Sequence, residues 1–528
     1  MLDFPNCSAI HRKRETNART YWTAICLLLL LFAAASCLRA QTAGGYQPAI
    51  PTVWDDAVMK DLEVPLARSE YSPRHVPASF YYQIPVRQIY KSYPVYHPDR
   101  EPKGYIEWLR SRDPEIDWNA ANLKTKEDWI RAGETVFDAP LVYGSIFLTK
   151  ERLADVEDLY VRTPSFVSAV QPPVSADGIL PFLRYVVRKK GAIDVGVLAC
   201  AMCHTRVMPD GSVVKGAQGN FPFDKAMAFA IRSGAADTIA LNRKLARLLW
   251  FTPWFEPDYF AGFDQKNYED LARPLADHPG GVLTRHRSGP WAPIQVPDLI
   301  GVAARKYLDH SGLQQNRGSG DLMRYAALNQ GGDDLSNFGG YVPASEFGPE
   351  LDPKQSARYS DEQLFALAQY LDSLRPPPNP NPFDATAAAG RTVFEREGCA
   401  GCHTPPLYSN NKLTPAVGFQ IPQEHRKKYE ILDVAVGTDP ALAMQTRRGT
   451  GYYKVPSLRG VWYREYFGHS GWSKTLEDWF DPARLRDNYV PTGARPYGVK
   501  TQAVKGHEFG LRLSASERKT LIAFLKTL

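Results

Sequence analysis

Two stretches of the chain carry the same apolar spacing. Ser360 to Leu374 (SDEQLFALAQYLDSL) and Ser514 to Leu528 (SASERKTLIAFLKTL) open on matched polar pairs, Ser360 with Gln363 and Ser514 with Glu517. Leucines then follow at Leu367, Leu371 and Leu374 in one and at Leu521, Leu525 and Leu528 in the other. A hydroxyl three residues before an amide or carboxylate is a capping box, and leucines four and three apart share a helix face, so both stretches predict amphipathic helices. Ala132-Gly133-Glu134-Thr135-Val136-Phe137 and Ala389-Gly390-Arg391-Thr392-Val393-Phe394 form a second matched pair, expected in the first helix of each of two units. Leu183 to Gly191 followed by Ala192 to Val197 predicts a β-hairpin. Residues 41–123, rich in Tyr, Trp and Pro, lack helical periodicity and are expected as an irregular wrap.

Further matches in the same order make this an internal duplication. Val296 to Gly312 (VPDLIGVAARKYLDHSG) aligns without a gap to Val455 to Gly471 (VPSLRGVWYREYFGHSG), ten of seventeen positions being identical, and Glu346-Phe347-Gly348 aligns to Glu508-Phe509-Gly510. The expected organisation is a first domain over 124–376, a stiff Pro-rich linker over 377–383 drawn from PPPNPNP, and a second domain over 384–528. Phe137 precedes Cys200 by 63 residues whereas Phe394 precedes Cys399 by 5, so the first domain carries a large insertion that includes the hairpin.

The chain opens on Arg12, Lys13, Arg14 and Arg19, runs through an apolar segment from Tyr21 to Ala35, and reaches Leu38-Arg39-Ala40. That is the pattern of a secretory signal cleaved after Ala40, and it implies a periplasmic or secreted protein with no stable membrane insertion. Three of the seven cysteines (Cys7, Cys26, Cys37) fall within it; an uncleaved anchor and a lipidated Cys37 are the alternatives. Five basic and two acidic residues go with the first 40, and the remaining net charge of +3 gives no reason to expect nucleic-acid binding. With 42 Pro and 39 Gly, the mature chain is expected to be mainly α and loop-rich.

The four remaining cysteines are Cys200-Ala201-Met202-Cys203-His204 and Cys399-Ala400-Gly401-Cys402-His403. Two sulfurs three residues apart reach the two vinyl groups of one porphyrin, and the adjacent imidazole meets the iron, so C-x-x-C-H written twice predicts two covalently bound haem c groups. Cys200, Cys203, Cys399 and Cys402 are then the attachment points, with His204 and His403 the proximal ligands. A redox-active or zinc-binding pair, or two disulfides, are the competing readings.

The sixth ligand decides what each iron does. Aligning the E-F-G triplets sets His507 opposite Ser345, so the second haem is expected to be held by two histidines while the first lacks that ligand. The alternative for His507 is a solvent-facing loop residue. Met323 and Tyr325, on a short helix over Asp321 to Leu328, are candidates for the first haem's pocket, Met323 otherwise being a core residue. Trp291 is the candidate for an indole between the haems, and His310 and His469 read as structural.

Val455-Pro456-Ser457-Leu458-Arg459-Gly460, Tyr466-Phe467-Gly468-His469-Ser470-Gly471 and Thr475-Leu476-Glu477 resemble the signature of the di-haem cytochrome c peroxidase and MauG superfamily. The chain departs from the peroxidases in having no methionine after Leu476. The long insertion, CAMCHTRVMPDG at Cys200 to Gly211 and KGHEFG at Lys505 to Gly510 are similar to the RoxA-type rubber oxygenase-like di-haem cytochromes c. The resemblance implies two cytochrome c-like domains, an N-terminal haem that binds oxygen and a C-terminal haem held by two histidines. The expected function is an oxidoreductase in which the first haem activates peroxide or dioxygen and the second stores or relays electrons. Its partners would be that small oxidant and an electron donor or organic substrate the sequence does not identify. A non-enzymatic di-haem electron carrier is the competing reading.

Overall fold

The computed structural model describes residues 46–143, 163–233, 238–284 and 287–528. The export signal expected over 1–40 lies outside them. No helix among the described residues is long and apolar enough to cross a membrane. The chain divides into two units, Met1–Ala49 with Ala121–Asp128, and Ile50–Ala120 with Trp129–Leu528. Within the first, the Tyr46 N–H donates to the Lys124 carbonyl, and the Asp128 carboxylate accepts from the N–H groups of Lys124 and Thr125. The second unit carries the sheets, the core and both cysteine pairs.

Its architecture is mixed α/β, where the sequence had suggested mainly α. Strands β1 (Ser92–Tyr96), β2 (Val142–Tyr143), β3 (Ile179–Lys189) and β4 (Ala192–Val197) form one antiparallel sheet in the order β1-β3-β4-β2, and four two-stranded ladders lie elsewhere. β3 and β4 are the expected hairpin, with Arg184 opposite Gly196 and Lys189 opposite Ala192. β1 comes from the segment expected to be irregular. Its Tyr93 and Val95 alternate inward, a signal too short to stand out among prolines. The same segment forms helix α1 (Tyr105–Ser111), which buries Ile106 and Leu109.

Helices α2 (Lys126–Asp138), α3 (Phe223–Arg232), α4 (Ile239–Trp250), α5 (Tyr268–Ala276), α6 (Ser319–Asn329), α7 (Asp361–Ser373), α8 (Ala385–Arg396) and α9 (Ala515–Lys526) complete the frame. The largest core packs Leu180, Phe182 and Tyr185 of β3 with Met227 and Ile231 of α3 and Leu271 of α5, and Met202 of the first C-x-x-C belongs to it. A smaller core joins Phe394 of α8 to Leu521, Phe524 and Leu525 of α9, with Cys399 packed against it.

Equivalent positions of the matched runs make equivalent contacts. Both predicted capping boxes form, Ser360 with Gln363 and Ser514 with Glu517. α2 meets α7 at Gly133, where a Cβ would run into the Ala366 carbonyl oxygen and Tyr370. α8 meets α9 at Gly390, where it would run into the Thr520 carbonyl oxygen and Phe524. Ala366 aligns with Thr520 and Tyr370 with Phe524, so the two crossings are the same crossing twice.

The two halves also exchange backbone bonds. The Gln295 N–H donates to the His469 carbonyl and the Lys454 N–H to the His310 carbonyl, each at 2.9 Å, and Gln295 aligns with Lys454 as His310 does with His469. Arg305 donates to the carbonyls of Asp298 and Ile300, while its counterpart Arg464 donates to those of Ser457 and Arg459. His310 is held at Nε2 by the Gln295 carbonyl, 2.6 Å away, and His469 stacks on Tyr453 at 4.1 Å. The His469 Nε2 is buried without a hydrogen-bond partner.

The 41–123 segment is anchored by a buried ionic cluster. Glu63 lies 3.2 Å from Arg287 and 3.5 Å from His75, and Arg287 also bonds Asp333. Burial alone would raise the Glu63 pKa, but the Arg287 charge and the His75 hydrogen bond outweigh it and bring it down to about 2.

Two predictions follow from this packing. Gly390→Ala should cost about 1–3 kcal/mol of stability by overpacking the α8–α9 crossing, read as a lower denaturation midpoint at unchanged slope. Because the folded-state pKa of Glu63 is depressed, its contribution, on the order of 3 kcal/mol, should be complete above the ordinary carboxylate range and lost as pH falls toward 2. Glu63→Gln should therefore lower stability at neutral pH and flatten the acid limb of the stability profile.

Candidate functional site

β4 runs straight into the first cysteine pair. Cys200–Cys203 is a single helical turn closed by the His204 N–H on the Cys200 carbonyl at 2.9 Å. The second pair folds alike, a turn over Cys399–Gly401 entered through Gly398 at φ +74 and closed by the His403 N–H on the Cys399 carbonyl at 2.8 Å. Each turn sets its two sulfurs and the following imidazole on one short stretch of backbone.

The imidazoles are oriented by carbonyls. His204 Nδ1 lies 3.0 Å from the Pro297 carbonyl and His403 Nδ1 3.1 Å from that of Tyr408, with a further hydrogen bond to the Pro456 backbone. A carbonyl only accepts, so in each neutral ring Nδ1 carries the proton and Nε2 the lone pair, the tautomer of an Nε2 metal ligand. Pro297 and Pro456 are aligned positions of the two V-P-x-L segments. Sequence reasoning did not assign them this role, although their place in the repeat was visible.

His507 stands across from His403, ring centres 6.2 Å apart. Two metal–imidazole bonds of about 2 Å with half a ring on each side span about 6 Å, so one iron fits between them. The loop that presents His507 is held under constraint. Gly506 has φ +76 and lies against the Gly437 backbone, where a Cβ would not fit, and His507 itself has φ +47. The His507 N–H donates to the Val436 carbonyl at 2.6 Å. The fully buried Arg484 guanidinium donates to the carbonyls of Trp479, Val504, Gly506 and His507. Trp479 and Phe509 flank the ring. His507 Nδ1 is buried with no hydrogen-bond partner, and burial, with His403 adding to it, lowers the imidazole to about 4. The ring is neutral at physiological pH. The residue as a whole is half-buried. No sequence signal pointed to Arg484.

The aligned Ser345 is exposed, its hydroxyl turned onto the Val342 carbonyl at 2.7 Å. Met323 is fully buried on α6. Tyr325, on the same helix, donates to Asp309 at 3.3 Å and is raised to about 12 by burial, so it stays protonated. α6 leads to Gln330, whose amide lies 3.4 Å from Cys200 Sγ. Trp291 packs among Phe255, Tyr259 and Phe260 in the largest core, its indole N–H buried without a partner.

No disulfide joins the cysteines. Among the described residues no cluster of three or more His, Cys, Asp or Glu side chains is arranged to hold a metal ion. Burial pushes the Cys399 thiol up to about 11 and also raises Cys402, against the thiolate that a redox-active pair requires. The donor set instead fits a porphyrin, with paired sulfurs, an oriented imidazole and, at the second site, a facing histidine.

No protein-family model and no curated protein matches the chain. Among solved structures, Kuenenia stuttgartiensis hydrazine synthase overlaps 48% of this chain and 74% of its own at 16% identity and a TM-score of 0.25. A MauG-like protein associated with microbial copper homeostasis overlaps 35% of this chain and 60% of its own at 16% identity and a TM-score of 0.22. At these scores neither defines the overall fold of this chain.

Replacing Arg484 by Met should leave four carbonyls without their shared donor and cost about 3 kcal/mol or more. Thermal unfolding measures that loss. Arg484→Lys should recover only part of it, since one ammonium cannot span the same four acceptors.

Proposed function

We propose that the chain is an exported di-haem c-type cytochrome of the oxidoreductase class, its two haem domains related by internal duplication. Cys200 and Cys203 would hold one haem with His204 as proximal ligand. Cys399 and Cys402 would hold the other between His403 and His507. The observation that carries the reading is the matched pair of C-x-x-C-H turns, each with its imidazole oriented at Nδ1 by a backbone carbonyl. The repeated helix crossings and the exchanged backbone bonds support the duplication.

A haem held by protein on one face supplies a site for peroxide or dioxygen, and one held on both faces supplies electron storage or relay. The chain's own residues divide these roles. His507, neutral, half-buried with its Nδ1 enclosed, and clamped through its loop by Arg484, is built to occupy the second site. Ser345 turns its hydroxyl to its own backbone and offers the first site no comparable ligand. The sequence resemblance to the di-haem peroxidases and RoxA-type proteins agrees with this division. The organic substrate or electron donor is a separate matter that His507 and Ser345 do not address.

Purified protein should gain the mass of two haems and give a c-type pyridine haemochrome, and Cys399→Ala with Cys402→Ala should leave one. In the oxidised protein one haem should take up cyanide or peroxide while the other stays low-spin and inert. His507→Ala should open the second haem to cyanide, whereas Met323→Ala should leave the second haem unchanged. Two low-spin haems that ignore both ligands would replace the enzyme with an electron carrier, and retention of two haems without Cys399 and Cys402 would sink the assignment.

A further inference from the structure

A cavity of about 400 Å³ opens between the two halves, walled by aligned pairs such as Pro297 with Pro456, Gly301 with Gly460 and Leu374 with Leu528. It adjoins the proximal side of both cysteine turns, since Pro297 and Pro456 bond His204 and His403 from its wall. Its charge is one-sided. Arg305, Arg375, Lys454, Arg459 and Arg464 line it, and none forms an ion pair with a carboxylate among the described residues. Asp298 is the one carboxylate side chain on the wall, and it is already bonded by the Tyr463 hydroxyl and the Ile300 N–H.

Arg305, Arg375 and Arg464 spend N–H groups on backbone carbonyls, which orients the guanidinium groups, and the Asp298 carboxylate offsets the charge of Arg305 in part. Arg464 Nε is buried with no partner. The Lys454 ammonium has no hydrogen bond to the described residues. Five cations gathered in a partly enclosed space against one carboxylate side chain repel one another and are costly to desolvate. Burial, with Arg305 adding to it, lowers Lys454 to about 7, as expected of an ammonium lacking its anion.

We propose that this cavity is a binding site for oxyanions, taking carboxylate or phosphate groups against Lys454 and the paired Arg305 and Arg464. Forked guanidinium donors match planar carboxylates and phosphates, and the volume suits small groups rather than a macromolecule. The anion has two possible sources. It is either a free oxyanion from solution or, resting on the preceding functional reading, the carboxylates carried by the bound haems.

The test uses holoprotein, Lys454→Met and Arg375→Gln, which spare the guanidinium groups that brace the V-P-x-L loops. Calorimetric titration with inorganic phosphate at fixed ionic strength reads the free source. Saturable binding weakened tenfold or more in Lys454→Met supports the proposal in that form. If haem carboxylates fill the cavity, phosphate should not bind, and both variants should lower the reduction potential of at least one haem because a positive charge near the iron is lost. Unchanged potentials together with absent phosphate binding overturn the proposal, as does saturable binding of Ca²⁺ in place of phosphate. Haem content, measured by pyridine haemochrome on the same samples, tests the functional reading separately, and the phosphate titration can be run whatever that content proves to be.

Discussion

Two backbone hydrogen bonds, each crossing from one half of the chain to the other, fix the geometry on which both candidate sites depend. Gln295 reaches the His469 carbonyl and Lys454 reaches the His310 carbonyl. Immediately after each donor comes a Val-Pro pair: the Pro297 carbonyl bonds His204 Nδ1, and the Pro456 backbone adds to the bond that the Tyr408 carbonyl makes with His403 Nδ1. A shift at the first crossing would therefore displace the acceptor that sets the tautomer and direction of His204, and one at the second would disturb a further contact of His403. The segment bearing each proline is registered by the other half, so His204 depends on both halves, whereas His403 also has the Tyr408 carbonyl of its own half.

Much of this was legible in the sequence, and the reason is repetition. A single V-P-x-L or one glycine in a helix carries little information. Twice over, in the same order, Gly133 with Gly390 and Val296 to Gly312 with Val455 to Gly471 identify the positions where chemistry constrains the residue. The capping boxes at Ser360 and Ser514 were visible for a different reason, since they are local and need nothing beyond four consecutive residues. The same alignment separated His507 from Ser345, and in the structure one is half-buried opposite His403 while the other is exposed.

What stayed hidden depends on contacts between distant residues without a repeat. Arg484 holds the His507 loop, but nothing around it marks one arginine among the chain's many as a buried clamp. Glu63, Arg287 and Asp333 lie far apart in sequence, and each alone looks like surface charge. β1 was missed because five residues containing a proline do not announce a strand until β3 offers its edge. The mixed α/β character follows from that omission, since the sheet is assembled from three separated segments while the hairpin alone is local.

The unequal spacing of the two cysteine turns bears on how the chain can assemble. Despite that spacing both turns wait on distant partners: the second packs beside α8, a few residues upstream, but also on α9, more than a hundred positions downstream, and the first follows a sheet whose outer strand comes from residues 92–96, roughly a hundred positions earlier. Structures dominated by distant pairings form more slowly than those closed by neighbours. Neither turn is closed by its sequence neighbours alone, so the four sulfurs reach their final surroundings only once segments about a hundred positions away have docked.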